Sequence, residues 1–113
     1  MEELTKQDKR QLKDLVRKGN LRRYKEWLQE MSELINKPVV ESEGNEFDRC
    51  MEITKASREF YKEAMAREDF YRNSMLSTGM SNLLADGYLK KEDLADLRPE
   101  LKAYFQFMCA KVQ

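Results

Sequence analysis

The apolar residues between positions 21 and 35 constrain the fold of this chain more than any other feature. Leu21, Tyr24, Trp27, Leu28, Met31, Leu34 and Ile35 recur at i, i+3, i+4 and i+7. That spacing puts them on one side of an α-helix and would scatter them over both faces of a strand. Pro38 closes the segment after Asn36, because proline disfavours helical backbone at the residue before it. Upstream, Thr5 is a good N-cap, and Asp8 stands in the first turn, where a negative charge suits the helix N-terminus. Leu12, Leu15 and Val16 make a short stripe, Gly19 supplies a stop, and Asn20 can cap a second helix. The pattern predicts helices over 6–18 and 21–36, joined as a short-looped hairpin.

Residues 37–45 read as an internal linker loop, since Val39-Val40 has no second extended segment to pair with. From Glu46, Phe47, Cys50, Met51, Ile53, Phe60, Tyr61, Ala64, Met65, Tyr71 and Leu76 keep near-helical spacing. Ser74, Ser77, Thr78 and Gly79 are weak helix formers in a cluster, which predicts a kink or break at 77–79. Asp86-Gly87 stops the next apolar run, a short helix is expected at 90–97, and Pro99 is placed to open the last one. Only 4 glycines and 2 prolines are present, too few for a turn-rich β-sandwich. The 37% of charged residues need the broad polar faces that helices offer. The expectation is an all-α chain, a single domain over 1–113. Its form is a compact five- or six-helix array with an N-terminal helical hairpin and a long, kinked central helix. Heptads do not persist cleanly along that central helix, which favours a globular bundle over an extended coiled coil. The seven methionines and eleven aromatics are expected mostly in the core.

Histidine is absent. This removes the commonest general base, the Ser-His and Cys-His dyads and most zinc sites. Cys50 and Cys109 are too few for a disulfide framework and are expected to be reduced, buried hydrophobes in a cytoplasmic setting. No apolar run approaches the roughly 18 residues of a membrane span. No glycine-rich phosphate loop or nucleophile-elbow motif occurs. No cofactor, metal or membrane contact is therefore expected, and no catalytic residue is assigned. Three constellations carry less weight, and a carboxylate-based enzyme is the third reading after the two below. Asn82–Asp93 read as a calcium loop puts Leu84 where an oxygen ligand is required. Met80–Leu97 read as helix-turn-helix gives a recognition segment carrying Glu92, Asp93 and Asp96, which phosphates would repel. The carboxylate pairs Glu59/Glu63 and Asp93/Asp96 each share a helix face, but cations such as Lys55, Arg58, Lys62 and Arg67 stand at pairing distance along the chain.

Two surfaces remain. Between Thr5 and Lys25, nine basic residues face two acidic ones, although the whole chain balances 21 against 21. Arg10, Lys13 and Arg17 share one helix face, and Arg22 and Arg23 flank the next start, so this stripe is a candidate contact for phosphates. Residues 41–69 carry nine acidic side chains against five basic ones and offer the stripe an internal or dimeric counterpart. The second surface is Met75, Leu76 and Met80 beside the expected break, where adaptable side chains suit a partner helix. Together these favour a non-enzymatic protein–protein interaction module, self-associating as a homodimer or binding another protein. The alternative is a small nucleic-acid-binding regulator using the stripe at 5–25.

Overall fold

Thr5 and Asp8 close a capping box at the start of the first helix: the Asp8 amide donates to Thr5 Oγ1 at 3.0 Å and the Thr5 amide to Asp8 Oδ2 at 2.9 Å. This computed structural model describes residues 3–39 and 45–112 and contains four α-helices: α1 (Lys6–Asn36), α2 (Asn45–Asp69), α3 (Leu76–Ala85) and α4 (Pro99–Val112). Single 3-10 turns at Asn73–Met75 and Lys91–Leu94 complete the order, and no strand occurs among the described residues. Most of the expected 37–45 loop, residues 40–44, lies outside that description.

The all-helical class holds, but the count is four, and three expected boundaries are corrected. Gly19 does not stop a helix, because α1 runs through it without interruption for 31 residues. Its missing side chain serves packing instead. A Cβ at Gly19 would lie 2.8 Å from a methyl carbon of Leu83, so any side chain there would force Leu83 to shift. The N-terminal hairpin is consequently made by α1 with α2. The break predicted at 77–79 falls earlier, at Phe70–Arg72 and the 3-10 turn after it, and α3 passes straight through Ser77, Thr78 and Gly79. Gly79 is again a contact point, with its Cβ position 2.8 Å from Phe70 Cβ, so the turn folds back onto the helix it precedes. The predicted helix at 90–97 is only the turn Lys91–Leu94. Gly87, at φ +82°, ends α3 as its sequence position suggests, and Pro99 opens α4.

Nor is the molecule compact. Its radius of gyration is 18.2 Å and its extents are 62 × 25 × 19 Å, whereas a compact chain of this length has a radius near ~13 Å. The elongation has a simple cause. Among the described residues, all thirteen buried apolar side chains belong to one end, here called the head: Leu12 and Val16 from α1, Phe70, then Leu76, Met80, Leu83, Leu84, Leu89, Leu94 and Leu97, and Leu101, Phe105 and Cys109 from α4. The second half of α1 and most of α2 extend beyond it as a two-helix arm.

The arm is held by a heptad seam. Buried or half-buried positions on α1 fall at Asn20, Tyr24, Trp27, Met31 and Leu34, and on α2 at Arg49, Ile53, Ala56, Phe60, Glu63 and Arg67, in alternating steps of four and three. Trp27 stacks on Phe60 at 4.3 Å between ring centroids, and Tyr24 meets the same ring edge-on at 5.9 Å. Arg49 closes the far end: its Nη1 donates to the carbonyls of Leu34 and Lys37, both at 2.7 Å. The last turn of α1 holds no basic residue of its own, so this cation from α2 meets the unsatisfied carbonyls.

Candidate interaction surface

Where arm meets head, charged side chains replace apolar packing. Glu63 accepts from Arg23 Nε and Arg67 Nε, both at 2.7 Å, and Arg67 is 8% exposed, with its guanidinium 5.3 Å from the centre of the Tyr88 ring. Bonds from Arg23 first and Arg67 second hold the Glu63 carboxyl below its usual range. Buried Asn20 donates to the Arg67 carbonyl at 3.1 Å, while its own Oδ1 has no partner. Tyr88 Oη donates to Glu26 at 2.5 Å. Burial, assisted by that bond, raises the phenol's pKa, and the same bond lowers that of Glu26. A second knot ties α1 to the turn at 91–94. Arg22 grips Asp93 through two bonds of 2.8 and 3.1 Å, Lys18 approaches to 3.1 Å, and the Lys90 amide donates to the same carboxylate at 2.8 Å. Chiefly through Arg22, Asp93 stays ionised far below the ordinary carboxylate range.

These contacts divide the basic stripe. Arg22 and Arg23 are committed to Asp93 and Glu63, and the acidic 41–69 segment supplies one of those partners. Arg17 lies over the Tyr71 ring at 5.9 Å. Arg10 and Lys13 remain exposed and have no ion pair within the described residues. With Lys6, Lys9, Arg17 and Asp14 they line a shallow concavity that also includes Asn73.

The other predicted surface is not a surface. Leu76 and Met80 are 0% exposed and Met75 is partly buried against the same core, so the segment 75–80 offers no apolar face to a partner. Cys109 is buried as expected, but Cys50 is exposed. Of the described methionines and aromatics, only Met80, Phe70 and Phe105 are buried, which corrects the expectation that most of them fill the core.

Many of the others lie along the arm. Leu21, Leu28 and Ile35 are 57–62% exposed and recur every seven residues on α1, one step round from the seam. On α2, Phe47, Met51, Tyr61 and Met65 are 46–69% exposed and occupy the neighbouring positions of the register. By helical phase Leu21, Leu28 and Ile35 lie on the same side of the seam as Tyr61 and the small side chains Cys50, Ser57 and Ala64, whereas Phe47, Met51 and Met65 point outward from the back of α2. The opposite side carries Arg23, Glu30 and Glu59. The side of α1 at Leu21, Leu28 and Ile35 is therefore apolar, whereas Tyr61 of α2 also borders Lys55, Arg58, Glu59 and Lys62. Sequence reasoning missed this flank because Leu21, Leu28 and Ile35 merge with the seam residues into one continuous apolar band. The seven-residue recurrence of 21, 28 and 35 was the available signal.

No cluster of three or more candidate metal-ligating His, Cys, Asp or Glu side chains exists among the described residues, and no helix there is long and apolar enough to cross a membrane. A concavity of about 490 Å³ has Arg22, Glu26, Tyr88 and Asp93 in its lining, and these already bond to one another or to neighbouring backbone. Comparison with family models, curated proteins and solved structures finds no match for this chain.

Proposed function

We propose that this chain is a non-enzymatic protein–protein interaction module that docks through the apolar flank of its arm. One observation carries the reading: seven large apolar side chains of the two-helix arm, Leu21, Leu28, Ile35, Phe47, Met51, Tyr61 and Met65, are 46–69% exposed. Single exposed apolar residues are ordinary, but their concentration on one two-helix arm supports an interface there. The place proposed for docking is thus the arm and not the segment around Met75. Cross-linking and mass spectrometry, with wild type and the Leu28→Glu/Tyr61→Glu variant side by side, test it. Specific cross-links at the arm are expected in the wild type and lost in the variant. Cross-links confined to the head, or unchanged by the substitutions, overturn the reading.

A second reading, nucleic-acid binding, is favoured by the concavity at Lys6, Lys9, Arg10, Lys13 and Arg17, where five cations surround one acid. Arg22 and Arg23 drop out of it because they are already paired. A titration with mixed-sequence DNA and RNA at two salt concentrations decides this reading. Salt-dependent binding abolished by Arg10→Glu/Lys13→Glu supports it, and no binding at low salt overturns it.

A further inference from the structure

We infer that the cations at the start of α1 seat one phosphate strand of a DNA duplex, holding its backbone without reading its bases. The inference rests on the nucleic-acid reading and names the form of nucleic acid. Its first ground is the register of α1. The seam positions Met31, Trp27, Tyr24 and Asn20 continue backwards through Arg17, Lys13, Arg10 and Lys6 in the same alternating steps of four and three. Helix α2 covers the seam only as far as Asn20, which donates to the Arg67 carbonyl, and it ends two residues later at Asp69. Beyond that point the same side of α1 emerges from under its partner helix as a row of cations. The turn after α2 brings Tyr71 beside Arg17 and Asn73 to the edge of the row, leaving a concavity of about 350 Å³. The cations of the head–arm junction, Lys18, Arg22, Arg23 and Arg67, are tied to carboxylates. Lys6, Lys9, Arg10 and Lys13 have no ion pair among the described residues, and Asp14 is the one acid in the lining of their concavity.

Charge and shape choose the occupant. A partner helix needs apolar knobs at seam positions, and here four in succession are Lys or Arg. A membrane surface needs an apolar helix face to insert, and on this stretch of α1 that face, Leu12 and Val16, is enclosed in the head. A single small anion would draw cations to one point, whereas Lys6 to Arg17 form a row about 16 Å long. An extended polyanion suits such a row, and a DNA duplex presents a phosphate of each strand about every 3.4 Å along its axis. Single strands are held by stacking their bases on aromatic faces. Tyr71, the ring beside the row, already has the Arg17 guanidinium over it and packs against the head core. Helix α2 stands a helix diameter, about 10 Å, above the row at its Arg17 end. That step keeps α1 from sinking along its length into a groove, so its cations meet a strand from outside, where contacts carry no sequence information.

Fluorescence anisotropy is the test, with two DNA duplexes of unrelated sequence, a single strand of the same length, and vesicles containing phosphatidylserine as competitor. Five cations against one acid should neutralise about four phosphates, so duplex affinity is expected to fall roughly 100-fold between about 50 and 200 mM salt. Both duplexes should bind equally, the single strand more weakly, and the vesicles should not compete. Arg10→Glu/Lys13→Glu should abolish binding. Lys13→Gln should weaken it for both duplexes alike and lower the salt dependence by about one phosphate. Lys55→Gln/Lys62→Gln, at the basic patch of the arm, should leave it unchanged. Tighter binding to the single strand, or a preference between the duplexes, overturns the inference while the nucleic-acid reading stands. No binding to any nucleic acid at low salt overturns both, as does capture by the vesicles alone. Duplex binding that survives Arg10→Glu/Lys13→Glu places the contact elsewhere and also overturns both.

Discussion

Head and arm are made from the same first helix, yet they are stabilised in different ways. In the head, Leu12 and Val16 of α1 join the shared core, and Gly19 lets Leu83 pack where a Cβ would force it to shift. Further on, the apolar seam of the same helix packs on α2, and its Tyr24, Trp27 and Met31 stay half open to solvent. The head relies on apolar burial, worth about 1.5–3 kcal/mol for each large side chain. The arm relies on a thin seam, a stacked ring pair and the Arg23–Glu63–Arg67 knot. A helix of good local propensity can thus pass from a saturated environment to an unsaturated one without changing its backbone, and it is the side chains that record the difference.

Matched substitutions measure that contrast. The largest effect is expected for Leu83→Ala, a loss of about 3 kcal/mol in chemical denaturation, against less than about 0.5 kcal/mol for Leu28→Ala at concentrations low enough to keep the chain monomeric. Equal losses would break the distinction between the regions. Arg67→Ala comes next, at about 2 kcal/mol, because it strips Glu63 of one partner and uncovers Tyr88. Hydrogen exchange should show the arm amides of α2 opening before those of α3. Gly19→Ala sets a gain in helix propensity of about 1 kcal/mol against overpacking at Leu83 of about 1–3 kcal/mol, and a net loss near ~1 kcal/mol is expected. A stabilised Gly19→Ala protein would mean that the head is looser than described.

The smallest effect per group is acid sensitivity. Asp8, Asp93 and Glu63 all have lowered pKa values when folded. Their stabilisation is therefore complete above the unfolded carboxylate range near pH ~4 and is lost as pH falls below it through their lower folded values. The expected denaturation midpoint declines below about pH 4 and is flat from about pH 5 to 8, and Asp93→Asn should flatten the acid limb. A profile that falls with rising pH instead would contradict these assignments.

Much of this was legible along the chain. The 3.6-residue period, the Thr5–Asp8 cap, the Gly87 stop and the Pro99 start are local features, and local chemistry decides them. The misplaced boundaries involve residues whose role is set by distant neighbours. Gly19 and Gly79 look like breakers until Leu83 and Phe70 are seen lying against them. Ser77 and Thr78 are poor helix formers in isolation, but the buried Leu76, Met80, Leu83 and Leu84 around them hold α3 in place. The surface was harder to read for a similar reason. Apolar content at Met75–Met80 and at Leu21–Ile35 looks alike as letters, and only the third dimension shows that the first is enclosed and the second is not. The division of the basic stripe depends on Asp93, 71 residues away from Arg22.

One consequence of the unbroken α1 concerns mechanics. At about 1.5 Å per residue its 31 residues make a rod of about 46 Å that crosses from one region into the other without a hinge. A load applied near Ile35 is transmitted along a continuous hydrogen-bonded ladder to Lys6 and arrives as a tilt of the whole face bearing Arg10 and Lys13. The azimuth between that face and the flank at Leu21, Leu28 and Ile35 is fixed by helical phase alone, so inserting one residue near position 20 would rotate one against the other by about 100°.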